Sequence, residues 1–198
     1  MNLANKLTVA RMAMVPVFIC LLSFEHLACL LLGYVTFVVA SLTDYYDGKI
    51  ARRRNQVTNF GKLLDPVADK ILVAAAFVML MLLDDLRIPG WTVVAIIGRE
   101  FLVTGARSLA ASEGVVIAAN VWGKAKAVLQ MGYIYWFLGF VILRHILDWC
   151  APGVVPRYTR ILAVASLWGV ILVALFTVFS GVQFARINWH ALRLDRSL

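Results

Sequence analysis

Residues 27–52 read LACLLLGYVTFVVASLTDYYDGKIAR and join two kinds of sequence in one run. Residues 27–43 contain no charged side chain, and they approach the roughly 20 apolar residues that a helix needs to cross a bilayer. Residues 44–52 carry two aspartates, a lysine and an arginine. The segment therefore predicts a membrane helix that ends in a polar, charged face.

The whole chain repeats the apolar character of this segment. Of its 198 residues, 62% are hydrophobic and only 15% are charged, whereas soluble domains are about half apolar and a quarter charged. The net charge of +8 is spread between apolar runs. This pattern favours contact with anionic lipid or phosphorylated substrates over nucleic acid. We expect a polytopic membrane protein.

Six apolar stretches are long enough, or nearly so, to be membrane helices. Lys6 and Arg11 precede and interrupt the first, and no small-residue cleavage site follows it, so we expect it to stay in the membrane. Short polar breaks separate the stretches. We therefore predict an all-α bundle of six transmembrane helices in a single domain, 1–198, with a short surface segment at about residues 1–6. The stretches are 7–24, 27–52, 67–83, 91–111, 122–147 and 159–186.

Lysine and arginine are distributed unevenly between the two sides of this bundle. Fifteen of the nineteen fall on the side that holds both termini. Because cytoplasmic loops are enriched in these residues, both termini are predicted to be cytoplasmic, with the protein in the inner (cytoplasmic) membrane.

Four aspartates fall at a similar depth on the cytoplasmic side. Asp44 and Asp47 are three residues apart, and Asp65 and Asp69 are four apart, so each pair shares one face of its helix. Clustered carboxylates near lipid repel each other unless they are protonated or bind cations. Oxygen ligands without nearby His or Cys favour Mg²⁺ or Mn²⁺. We predict a metal site in a polar cleft that faces the cytoplasm.

The same residues carry a resemblance to a known family. The segment from Asp44 to Asp69 resembles the signature of the CDP-alcohol phosphatidyltransferases at every fixed position and in every spacing. In this chain the signature is Asp44-x2-Asp47-Gly48-x2-Ala51-Arg52-x8-Gly61-x3-Asp65-x3-Asp69.

The resemblance implies a homodimeric six-helix enzyme that acts on CDP-diacylglycerol in the membrane lipid. It implies that the four aspartates bind metal and that Asp69 is also the catalytic base. The acceptor hydroxyl would attack the lipid-side phosphorus and release CMP. The residues that it implies for the CDP pocket are Asn5, Thr8, Asp47, Gly48, Ala51, Arg52 and Gly61.

Two further segments resemble the bacterial branch of the family that uses glycerol 3-phosphate as the acceptor. They are residues 2–11 and 98–107, followed by Trp122-Gly-Lys-Ala-Lys126 and Gln130; Ala127 departs from the Thr that is common there. A phosphorylated acceptor needs cations beside the metal. We therefore predict that the acceptor phosphate is bound by Arg99, Arg107, Lys124 and Lys126.

Alternatives remain at this point. The same chemistry could use phosphatidylglycerol, inositol phosphate or serine as the acceptor. A divalent-cation transporter is an alternative of another class, although residues 71–83 contain no polar side chain to continue an ion path. Arg99 and Arg107 could instead be structural partners of Glu100 or Glu113.

Overall fold

The computed structural model describes residues 3–24, 26–54, 59–115, 117–118 and 120–189, and side-chain surroundings for 9–24, 26–43, 70–115, 117–118 and 120–189. Every regular element in these ranges is helical. The helices are α1 (Leu3–Ser23), α2 (Leu27–Arg54), α3 (Asn59–Leu82), α4 (Gly90–Ser112), α5 (Val121–Cys150) and α6 (Val155–Ile187), with a 3-10 turn at Pro152–Val154.

All six predicted stretches are helices, but their boundaries differ from those predicted. α3 begins at Asn59, not at residue 67. The prediction rested on the apolar run alone, whereas the helix also includes the polar residues that precede this run. α1 begins at Leu3, so residues 3–6 are continuous with the first helix. The earlier start of α3 places Asp65, as well as Asp69, in a helix.

Local signals explain where α4 ends and where α5 begins. The Asn120 side chain accepts a hydrogen bond from the Gly123 amide at 2.8 Å, which caps the start of α5. At the end of α4, Gly114 has φ of 78°, and the next amide, of Val115, returns to the carbonyl of Ala110. This is the left-handed turn that glycine favours at helix ends.

The helices pack around one apolar core. α1 lies against α2 and α3, α4 against α3 and α6, and α5 against α2, α3 and α6. α1 and α2 approach closely at Gly33, where an added Cβ would overlap the Leu22 side chain. The fully buried core side chains include Phe18, Phe37, Phe77, Ile96, Ile134 and Leu138.

The outside of the bundle is also apolar. Val94, Leu102, Trp136 and Leu172 are each at least 65% exposed, although most soluble proteins keep such residues out of large apolar patches. Among the described residues, two helical segments are long and apolar enough to cross a membrane, Val121–Cys150 and Pro152–Ile187. Shorter apolar segments cover Val9–Ser23, Leu27–Thr43 and Lys70–Leu82. These features indicate a membrane protein.

Candidate functional site

The backbone places the aspartate signature on two helices. Asp44 and Asp47 lie in the C-terminal part of α2, and Asp65 and Asp69 lie in α3. Because both helices are continuous through these positions, each pair shares one face of its own helix, as predicted. The predicted site residues whose side chains lie outside the described residues are Asn5, Thr8, Asp44, Asp47, Gly48, Ala51, Arg52, Gly61, Asp65 and Asp69.

The chemistry of this set fits the predicted metal. Four carboxylates offer only oxygen ligands, which suit Mg²⁺ or Mn²⁺. Among the side chains that the structure describes, no three His, Cys, Asp or Glu residues come together as metal ligands. The metal prediction therefore concerns the four aspartates alone.

The described part of the site begins at Lys70, which directly follows Asp69. Its Nζ lies 3.8 Å from Oε2 of Glu100 on α4. This ion pair links the helix that carries the predicted base to the helix that carries Arg99 and Arg107. The aspartate helix and the cationic helix therefore meet at Glu100.

Glu100 is the centre of a buried polar group, here called the Glu100 cluster. Lys126 Nζ donates a hydrogen bond to Glu100 Oε1, and Arg99 Nη1 lies 3.6 Å from the same oxygen. Gln130 Nε2 lies 3.3 Å from that oxygen as well. The cluster consists of Lys70, Arg99, Glu100, Lys126 and Gln130.

Two features of the cluster show how sequence leads to it. Lys126 and Gln130 are four residues apart on α5, so both face the same way. A glutamate within an apolar helix is costly unless it is paired, and Glu100 is only 8% exposed. From the sequence, Glu100 is a possible partner of Arg99. Lys70 could not be predicted as a partner, because only the packing of α3 on α4 brings that residue close.

α6 supports the two arginines of α4. Arg99 Nη2 donates a hydrogen bond to Ser180 Oγ at 2.8 Å, and an added Cβ at Gly181 would lie 3.0 Å from Arg99 Cγ. The guanidinium of Arg107 lies 5.1 Å from the centre of the Phe184 ring, which allows a cation–π interaction. Three parts of α6 therefore restrict where the two guanidinium groups can lie: the backbone at Gly181, the Ser180 hydroxyl and the Phe184 ring.

The four cations predicted for the acceptor phosphate have different surroundings. Arg99 and Lys126 meet at Glu100. Arg107 lies two helical turns beyond Arg99 on the same face of α4, and Lys124 is exposed. Lys124 and Lys126 are two residues apart, so they do not share a face of α5. The structure thus brings two of the four together.

A small polar cavity and a larger groove lie beside these side chains. A cavity of about 70 Å³ is lined by Lys70, Glu100, Lys126 and Gln130 together with Val73, Ala127 and Met131. A larger groove of about 540 Å³ between α4 and α6 is apolar except for Arg99. Arg99 therefore lies between the Glu100 cluster, which borders the small polar cavity, and the apolar groove.

Comparisons with known proteins agree with the aspartate signature. A family model described as CDP-alcohol phosphatidyltransferase matches residues 1–180. A CDP-diacylglycerol–glycerol-3-phosphate 3-phosphatidyltransferase of Bacillus subtilis (strain 168) is 40% identical over 97% of each chain. The protein of the same description from Rickettsia typhi is 37% identical over 92% of this chain and 94% of its own. A probable phosphatidylglycerophosphate synthase of Mycobacterium tuberculosis (strain ATCC 25618 / H37Rv) is 41% identical over 65% of this chain and 62% of its own.

Proposed function

The chain belongs to the CDP-alcohol phosphatidyltransferase family, and we propose that it transfers the phosphatidyl group of CDP-diacylglycerol to glycerol 3-phosphate. The products are phosphatidylglycerophosphate and CMP, so the role is in phospholipid biosynthesis. The observation that carries this proposal is the similarity over nearly the whole chain to a relative whose description names both substrates. The helical placement of all four aspartates supports the same chemistry.

The proposed setting is the inner (cytoplasmic) membrane, which all six helices span. The uneven distribution of Lys and Arg supports cytoplasmic termini and a cleft that opens to the cytoplasm. The apolar exposed side chains of α4, α5 and α6 support contact with lipid. A homodimer is part of the proposal, because the family resemblance implies one.

Asp44, Asp47, Asp65 and Asp69 are proposed to hold Mg²⁺ or Mn²⁺, with two ions. A bound divalent cation neutralises and orients the pyrophosphate and stabilises the charge that develops on the leaving group. The CDP group is proposed to lie in a pocket formed by the signature and the start of α1. Its residues are Asn5, Thr8, Asp47, Gly48, Ala51, Arg52 and Gly61.

Asp69 is proposed to act as the general base. Its carboxylate takes the proton of the acceptor hydroxyl, whose oxygen forms a bond to the phosphorus that carries diacylglycerol. The bond from that phosphorus to the bridging oxygen of the pyrophosphate breaks, and that oxygen leaves with CMP. Lys70 follows Asp69 and pairs with Glu100. This ion pair connects the part of α3 that carries the proposed base to α4.

Arg99, Arg107, Lys124 and Lys126 are proposed to bind the phosphate of the acceptor. Arg99 and Lys126 support this proposal best, because their charges together exceed the single charge of Glu100. The planar guanidinium of Arg99 can offer a phosphate two parallel donors. Serine, which has no phosphate, would not need this concentration of cations.

Purified protein with CDP-diacylglycerol and Mg²⁺, given one acceptor at a time, tests the proposal. We expect CMP release with glycerol 3-phosphate and little with phosphatidylglycerol, inositol phosphate or serine. Strong release with one of the other acceptors instead would contradict the choice of glycerol 3-phosphate. Metal flux into liposomes without any lipid substrate would favour a transporter.

A further inference from the structure

Glu100 is a buried carboxylate that contacts cationic side chains from α3, α4 and α5. We propose that Glu100 is a positioning residue for the acceptor phosphate: it holds Lys126 and Arg99 in fixed positions and ties them to the helix that carries Asp69. This inference rests on the proposed function, because the phosphate belongs to glycerol 3-phosphate. Glu100 itself repels a phosphate and therefore acts only through its cationic partners.

The two oxygens of Glu100 face different helices. Oε1 receives the Lys126 ammonium from α5 and the Gln130 amide, with Arg99 at 3.6 Å. Oε2 faces Lys70 on α3, at 3.8 Å. One carboxylate therefore fixes the distance between the α5 cation and the residue that follows Asp69. A shift of about 1 Å in such positions is enough to slow a reaction a hundredfold.

The orientation of the carboxylate is itself held from α6. Gln130 Nε2 lies 3.3 Å from Glu100 Oε1 and also 3.3 Å from Thr177 Oγ1. Thr177 is fully buried, and Gln130 is 3% exposed. Because the amide is shared between α4 and α6, Glu100 cannot turn without breaking buried hydrogen bonds, which are costly to leave unmade.

The balance of charge distinguishes this arrangement from a structural ion pair. Buried ion pairs are tolerated when the charges match. Arg99 and Lys126 alone outnumber the one carboxylate that they share. A phosphate monoester carries roughly −1.5 to −2 at pH 7, so it complements cations that Glu100 places but does not fully neutralise.

A purely structural Glu100 would affect stability and the amount of active enzyme, but not the affinity for one substrate. The experiment therefore compares Glu100→Gln and Glu100→Asp with wild type. Asp85→Asn is a matched control, since it removes a carboxylate charge from the Asp85–Arg144 pair outside the cluster. The KM for glycerol 3-phosphate, the KM for CDP-diacylglycerol and kcat are measured by CMP release, together with the thermal midpoint.

For Glu100→Gln we expect the KM for glycerol 3-phosphate to rise about tenfold or more, with the KM for CDP-diacylglycerol within about twofold of wild type. Glu100→Asp keeps the charge and should recover part of the loss. Where Glu100→Gln fails to fold, Glu100→Asp and Thr177→Val, which removes only the hydroxyl near Gln130, should still raise the same KM.

Both KM values unchanged in folded Glu100→Gln, or in Glu100→Asp and Thr177→Val where Glu100→Gln does not fold, would overturn the inference, whatever the thermal midpoint of these variants. It would leave the proposed function intact, because wild type would still release CMP with glycerol 3-phosphate. Wild type that releases no CMP with this acceptor would overturn both, so the two failures are distinguishable.

Discussion

Among the residues that the structure describes, two ionic groups differ in how their charges balance. Asp85 Oδ1 and Arg144 Nε pair at 3.3 Å, one carboxylate with one guanidinium. The Glu100 cluster joins one carboxylate to cations from α3, α4 and α5. Lys126 and Arg144 lie on the same helix, roughly 27 Å apart along its axis.

The comparison separates two uses of charge in an apolar bundle. The Asp85–Arg144 pair is matched and joins the loop after α3 to α5, so a role in packing explains it. Arg99 and Lys126, which are both largely buried, share the one carboxylate of Glu100. Because buried charge is costly, we propose that a substrate anion balances the second cation. Removing members of the two groups should therefore give different results.

Within the two ionic groups, the largest effect is expected from Lys126→Met, which removes the ammonium that donates a hydrogen bond to Glu100. A hydrogen bond to a charged group contributes about 1.5–3 kcal/mol, so kcat/KM for glycerol 3-phosphate should fall roughly 10- to 150-fold. Steady-state CMP release at varied acceptor concentration measures it. A loss of less than about twofold in folded protein would remove Lys126 from the acceptor site.

Lys124→Glu should have the next largest effect. Lys124 is exposed, so reversing its charge leaves the buried cluster intact while repelling an incoming phosphate. We expect the KM for glycerol 3-phosphate to rise about tenfold at low salt and less at high salt, because salt screens exposed charges. The KM is measured at two ionic strengths, with Lys124→Gln as the neutral control. Kinetics equal to wild type at both would assign Lys124 to general surface charge.

Two glycines on α6 offer a matched pair of smaller changes. A Cβ at Gly181 would lie 3.0 Å from Arg99 Cγ, and a Cβ at Gly169 would lie 3.0 Å from Tyr133 Cε2. Both Gly→Ala changes add a similar helix preference, about 0.5–1 kcal/mol. We expect only Gly181→Ala to raise the KM for glycerol 3-phosphate, by roughly two- to fivefold, since it displaces Arg99. Equal kinetics for the two variants would contradict a role for the position of Arg99.

The smallest effect should come from Asp85→Asn, at the other ionic group. Partly exposed ion pairs contribute about 0–1 kcal/mol, and this one is far from the proposed acceptor site. Its kinetic constants should stay within about twofold of wild type, while thermal unfolding shows at most a small shift. A tenfold rise in either KM would show that the two ionic groups do not differ in function.

The sequence predicts the helices better than the side-chain contacts. All six apolar stretches are helical, because length and apolar composition suffice to identify them. The start of α3 at Asn59 could not be predicted in this way, since residues around Lys62 and Asp65 are polar. The family prediction is confirmed by the match over residues 1–180.

The cationic residues show where prediction from sequence stops. The concentration of cations around the connection from α4 to α5 is visible in the sequence as Arg99, Arg107, Lys124 and Lys126. Lys126 is buried against Glu100, whereas Lys124 is exposed. This difference depends on how α5 packs against α3 and α6, the two helices that also contact α4. The link from Lys70 to Glu100 depends on tertiary packing as well. The metal, CDP and catalytic assignments of the aspartate signature stay predictions.

The proposed reaction is tested by measuring CMP release by wild type and by Asp69→Asn, with CDP-diacylglycerol, Mg²⁺ and glycerol 3-phosphate. We predict release that requires both the metal and glycerol 3-phosphate. Release by the folded variant should be at least a hundredfold slower, within the range that general-base catalysis contributes, about 10²–10⁴. Wild-type rates in folded Asp69→Asn, or no release by folded wild type with this acceptor, would contradict it.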